Sequence, residues 1–114
     1  IRKKQSNDMG YEFNRETRYV TKGVNSEIPL EIQVLIWRCV DELVESNMET
    51  DYLQVFKFNE EKQGFLSIIH TQEQPEYKKE VSVMMEDRFL KLIGNIVFLI
   101  DDKTHSTALL SREY

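Results

Sequence analysis

The sequence has 114 residues, of which 40% are hydrophobic and 11% aromatic, which is enough for one hydrophobic core but not for two. Fifteen Lys and Arg residues against twenty Asp and Glu residues give a formal net charge of -5. A domain that binds a nucleic-acid duplex usually has a concentrated basic surface, so these numbers predict a single domain and disfavour nucleic acid as a partner.

The cysteine content and the hydropathy pattern indicate the compartment. Cys39 is the single cysteine, which excludes an internal disulfide and fits a reducing interior. The most apolar run, residues 92–100, is interrupted by Gly94 and Asn95 and is far shorter than the roughly 20 residues of a membrane-spanning helix. We therefore expect a soluble, cytoplasmic protein without a membrane span.

The first sixteen residues are expected to form a flexible arm, with the domain proper covering residues 17–114. Charged residues, Asn, Ser and Gly dominate the arm, a composition that buries too little surface to stay ordered alone. Met9, Tyr11 and Phe13 alternate, which leaves docking as a short strand open. Residues 17–22 (TRYVTK) are β-branched and aromatic and end at Gly23, which predicts the first strand.

One long helix is predicted from near Pro29 to Met48, because proline suits a first helical turn and an apolar stripe with helical spacing follows it. The stripe that should face the sheet consists of Ile28, Ile32, Leu35, Ile36, Cys39, Val40 and Leu43. A second apolar group falls on roughly the opposite side of the helix and consists of Leu30, Val34, Trp37, Val44 and Met48. This helix is therefore expected to need cover on two sides.

Two explanations of the second group remain open. Either the arm and the 84–93 connection fold over it, or it is an interface with a second copy or a protein partner. Exposed apolar patches with an aromatic anchor often mark such interfaces.

The remaining elements are predicted to be strands. Residues 52–58 and 65–71 are predicted to form a hairpin, and residues 77–83 a further strand, whose lysines suit a sheet edge. Residues 95–102 and the segment HSTALL are the last two predicted strands. The connection over residues 84–93 is expected to be irregular or helical. Because the loops are too short for crossovers, we expect mostly antiparallel pairing. The predicted class is α+β, one long helix on a five- or six-stranded, mostly antiparallel sheet in the order β-α-β-β-β-β-β.

The polar groups with catalytic character are Asp101, Asp102, His105 and Ser106, with His70 as a more distant candidate. Catalytic triads assemble groups from distant parts of a chain, whereas Asp and Ser beside each other commonly stabilise a turn. Neither a HExxH nor a CxxC motif is present, and the glycines stand singly. We predict a structural turn and no cofactor, with a metal or acid–base site as the alternative.

Four segments resemble the staphylococcal protein of unknown function family, the domain of unknown function 960 of Gram-positive bacteria and their phages. They are RYVTKGVNSEIP (18–29), DYLQVFKF (51–58), HTQEQPEYKKE (70–80) and VFLIDDKTHSTALLSREY (97–114), within a resemblance that covers residues 17–114. The resemblance implies a compact bacterial cytoplasmic protein and transfers no catalytic residue. Lys103 stands where the family's turn is expected to have glycine, which weakens any site at that turn.

The leading hypothesis from the sequence is a non-enzymatic interaction or regulatory module that acts through the apolar helix side, with a homodimer as one form. The alternative is a small metal-assisted or acid–base enzyme that uses the Asp101, Asp102 and His105 region together with His70.

Overall fold

The computed structural model describes residues 10–61 and 64–114 as an α+β fold, which confirms the predicted class. Residues 1–9 of the predicted arm lie outside the described residues. Within the described part, no helix is long and apolar enough to cross a membrane.

The strands are β1 (Arg18–Val20), β2 (Leu53–Glu61), β3 (Phe65–Gln72), β4 (Tyr77–Met84), β5 (Ile96–Asp101) and β6 (Ser106–Leu110). The α-helices are α1 (Lys22–Glu27) and α2 (Leu30–Glu45), and short 3-10 helices cover Arg15–Thr17, Asp87–Leu92 and Ser111–Glu113. The connection after β4 is therefore helical, as favoured from the sequence. The hairpin loop is shorter than predicted, because β2 continues to Glu61.

The prediction of one long helix is confirmed only in part, because α2 begins at Leu30, close to the predicted start, but a separate short helix, α1, precedes it. Thr21 follows β1 and caps α1, since its hydroxyl accepts the Val24 N–H at 3.2 Å. Gly23 therefore lies in a helix and not in a turn. Proline disfavours the helical conformation at the residue before it, and Ile28 is accordingly extended. Pro29 is the N-cap of α2 and not its first helical residue.

The sheet is mixed, with the strand order β1-β6-β5-β2-β3-β4. Among the described strands, β1 pairs with β6 in parallel and the other pairings are antiparallel. The short-loop reasoning could not apply to β1, because its partner β6 lies at the other end of the chain. β4 lies at a sheet edge, as its lysines predicted.

Helix α2 covers one face of the sheet, and the core lies between them. The residues of the predicted stripe are buried apart from Leu35, which is half-buried. From the sheet, alternate residues reach the same core, including Phe56, Phe58, Leu66, Ile68, Val97, Leu99, Ala108 and Leu110. The side chains between them point to the opposite face of the sheet.

Residues 10–16, which were assigned to the arm, lie against the domain. Gly10 forms a bridge to Thr50, and Phe13 is only 1% exposed within the core cluster. The Phe13 backbone has a positive φ of 49° and is held at both polar groups, because its N–H donates to Asp101 and its carbonyl accepts from Arg18.

Candidate functional site

Asp101 and Asp102 mainly hold backbone groups in place. The buried carboxylate of Asp101 accepts the N–H of Phe13 and the N–H of Lys103, each at 2.8 Å. The exposed carboxylate of Asp102 accepts the backbone N–H groups of Thr104 and His105, both at 2.9 Å. These bonds, with that of His105 as the largest cause, lower the pKa of Asp102 to about 2. Both carboxylates therefore serve the turn between β5 and β6.

His105 lies beside this turn and His70 does not. The Nδ1 atom of His105 is 3.0 Å from the Thr104 hydroxyl and 3.5 Å from the Asp102 carboxylate. His70 lies on β3, and β2 separates β3 from β5. His70 is therefore not close to the turn between β5 and β6. The structure brings Asp101, Asp102 and His105 together and leaves His70 elsewhere. Within the described residues, no group of three or more His, Cys, Asp or Glu side chains is placed to hold a metal ion.

His70 is completely buried, on the face of the sheet that α2 covers. Its ring stacks on Phe56 with a centroid separation of 4.3 Å, and its Nε2 lies 2.7 Å from the Gln54 side-chain oxygen. Because the Gln54 amide nitrogen donates to Gln72, the Gln54 oxygen is the acceptor and the histidine Nε2–H donates. Burial, together with nearby Lys79, lowers the pKa of His70 to about 4, so the imidazole is neutral near pH 7.

A small polar cavity of about 220 Å³ opens where the arm meets the β5–β6 turn. It is lined by Gly10, Glu12, Asn14, Thr17, Asp101, Lys103 and His105. The Lys103 ammonium lies 4.4 Å from the centroid of the Tyr11 ring, in a cation–π contact. Charged groups of both signs line this cavity, and the carboxylate of Asp101 is already bonded to backbone donors.

The predicted helix interface is divided by the chain's own packing. Leu30 is 70% exposed and Val34 is 47% exposed, whereas Trp37 and Val44 are half-buried. The Arg18 guanidinium lies 4.6 Å from the centroid of the Trp37 ring. Part of the second apolar group is thus covered by Arg18, the first residue of β1, and Leu30 and Val34 remain on the surface.

The sheet face opposite α2 carries a larger apolar surface, which we call the open sheet face. Its apolar residues, assigned from strand register and alternation, are Tyr19, Leu53, Val55, Phe65, Ile69, Met84, Ile96, Phe98, Ile100 and Leu109. All ten are at least partly exposed, and none belongs to the buried core or to the partly buried residues packed against it. Phe98 lies near the centre, between Val55 and Leu109, and the Tyr114 ring contacts its edge at a centroid distance of 5.5 Å.

The sequence analysis did not identify the open sheet face, although a signal was present. Residues 96–100 (IVFLI) are apolar without alternation. A strand that is apolar at every position has two apolar faces, as strands buried on both sides do. With one long helix predicted, only one face of the sheet could be covered, so the other was bound to expose Phe98 and its neighbours.

Comparisons with known proteins give a family and a fold. The family model described as "Staphylococcal protein of unknown function (DUF960)" matches residues 17–113, which confirms the resemblance seen in the sequence. A solved structure, described as the crystal structure of the protein of unknown function from Enterococcus faecalis, has a TM-score of 0.74 and 21% sequence identity, over 90% of this chain and 95% of that chain. At this identity the likeness shows the fold alone. Among curated proteins, no significant match is found.

Proposed function

The chain belongs to the family of staphylococcal proteins of unknown function, and we propose that it is a non-enzymatic protein-interaction module that binds its partner through the open sheet face. The observation that carries this proposal is the surface of ten partly exposed apolar side chains on one face of the sheet. Contiguous apolar patches on a protein surface usually mark interaction sites. Phe98 is suited to be the central anchor, because aromatic residues near the centre of an interface contribute most of its affinity.

The bonding of the polar residues supports this proposal over the acid–base alternative. The carboxylates of Asp101 and Asp102 are occupied by backbone N–H groups, and the neutral, buried His70 lies away from His105. We place the module in the cytoplasm, in keeping with the buried, free thiol of Cys39.

The proposal is tested by site-specific photo-crosslinking in staphylococcal cells that produce the full chain. A benzophenone amino acid replaces Phe98 or Val55 on the open sheet face. In the matched controls it replaces an exposed residue elsewhere, either Leu30 on α2 or Lys91 in the 3-10 helix Asp87–Leu92. We expect a covalent protein adduct of defined mass from the open-face positions and none from the controls. The adduct should disappear when a second substitution, Ile100→Lys, introduces a charge beside the crosslinker.

Equal crosslinking from all four positions would contradict the proposal, because the contact would then not depend on the open sheet face. The absence of any adduct from Phe98 and Val55 would contradict it as well, provided that the variants accumulate as folded protein.

A further inference from the structure

We infer that the partner of the open sheet face is a second copy of this chain, packed sheet against sheet in a two-fold dimer. This inference rests on the proposed function, because it names the partner of the same face. In a two-fold interface each surface patch meets an equivalent patch, so the patch must be compatible with itself.

The distribution of charge on the open sheet face meets this requirement. Over β5 and β6 the open-face positions are Ile96, Phe98, Ile100, Thr107 and Leu109, none of which is charged. The charged side chains of this face lie on β2 and β4 and carry both signs: Lys57, Glu61, Lys78 and Glu80. The uncharged part over β5 and β6 avoids like-charge contact when two copies meet, and the two lysines and two glutamates on β2 and β4 allow opposite charges to pair.

The shape and the extent of the face also fit a second copy. Packed sheets lie about 10 Å apart, and alternating Val, Leu, Ile and Phe side chains fill that space. Six strands about 4.8 Å apart, each contributing about six residues of about 3.3 Å, span a projected area of about 570 Å². This area is close to the roughly 600 Å² per partner at the lower end of the range for specific interfaces.

The net charge of the chain provides a signature that separates self-association from binding to an oppositely charged partner. Each copy carries a formal charge of -5, so two copies repel each other at long range. Added salt screens this repulsion, so the dimer is expected to become tighter as the ionic strength rises from about 0.01 to 0.15 M, where the Debye length falls from about 30 to 8 Å. A complex held by opposite charges would become weaker.

Sedimentation equilibrium of the purified full chain tests the inference. The variants are Phe98→Lys and Leu53→Lys on the open sheet face, with Leu30→Lys as the matched control, since Leu30 is an exposed leucine on α2. We expect the wild type and the Leu30→Lys variant to reach twice the monomer mass at micromolar concentration. Loss of a central anchor should raise the dimer Kd of Phe98→Lys by at least about 30-fold. Leu53→Lys should weaken the dimer in the same direction, and circular dichroism establishes that each variant is folded.

The inference is overturned if the wild type is monomeric at several hundred micromolar, if both open-face variants dimerise as tightly as the wild type, or if salt weakens the dimer. A dimer that is lost in Leu30→Lys alone would place the contact on α2 and overturn it too. Its failure is distinguishable from failure of the proposed function. A monomeric chain whose Phe98 position captures a different protein in cells refutes the dimer and retains the interaction module, whereas a monomeric chain without any adduct refutes both.

Discussion

The buried imidazole of His70 makes the stability of the fold depend on pH. Burial lowers the pKa of His70 from 6.5 to about 4 in the folded chain, whereas the unfolded chain keeps the ordinary value. Between these two values the unfolded chain binds the proton and the folded chain does not. The free energy of unfolding therefore rises with pH in this window; the contribution is complete above pH 6.5 and is lost as the pH falls towards 4.

The size of the effect follows from the two pKa values. From pH 8 to pH 5, the proton linkage of one such group lowers the free energy of unfolding by about 2 kcal/mol. This is a large part of the 5–15 kcal/mol that typically holds a small domain together. The other side chains around the ring are Gln54, Phe56, Tyr77 and Lys79, and the Lys79 ammonium adds to the cost of a second positive charge.

Urea unfolding at pH 8, 6 and 5, followed through the single Trp37 at a fixed protein concentration, measures this effect. The His70→Gln variant cannot titrate, and its amide can donate to Gln54 as the imidazole does. We expect the wild type to lose about 2 kcal/mol more than this variant between pH 8 and pH 5. Leu30→Gln on the exposed surface of α2 is the control and should keep the wild-type slope, because it removes no titratable group. Equal slopes for the wild type and His70→Gln would refute the reasoning.

Two further predictions concern the start of the domain. Phe13→Ala should lower the free energy of unfolding by about 3–5 kcal/mol, because the substitution empties a completely buried site. The neighbouring Glu12→Ala should change this free energy by less than about 0.5 kcal/mol, because Glu12 is exposed. Similar urea midpoints for the two variants would show that the arm is not part of the core. Thr21→Ala should lower the free energy of unfolding by about 1 kcal/mol, because it removes the α1 cap and the hydroxyl's hydrogen bond to Glu113, and Thr21→Ser should restore most of this loss. Thermal unfolding measures both variants. An unchanged melting temperature in Thr21→Ala would contradict the capping role.

The candidate site was only partly accessible from the sequence. Leu30, Val34, Trp37 and Val44 were recognised as surplus apolar surface of a helix, since a period of 3.6 residues places them opposite the core stripe. The sequence did not determine how exposed these side chains are, because their exposure depends on residues 10–18, which are distant in sequence. These residues cover Trp37 but not Leu30. The open sheet face was missed because strand order and register decide which apolar residues become neighbours.

The amino-acid sequence by itself determined the α+β class, the core stripe of α2 and most of the strands, because these depend on periodicity and on local conformational preference. It also contained the family resemblance over residues 17–114, which the family model confirms over residues 17–113. Only the tertiary structure decided that β1 pairs in parallel with β6, that His70 is buried and neutral, and that the apolar residues of β2, β3, β5 and β6 meet on one open face. Each of these outcomes depends on contacts between residues far apart in the chain, which local sequence patterns do not encode.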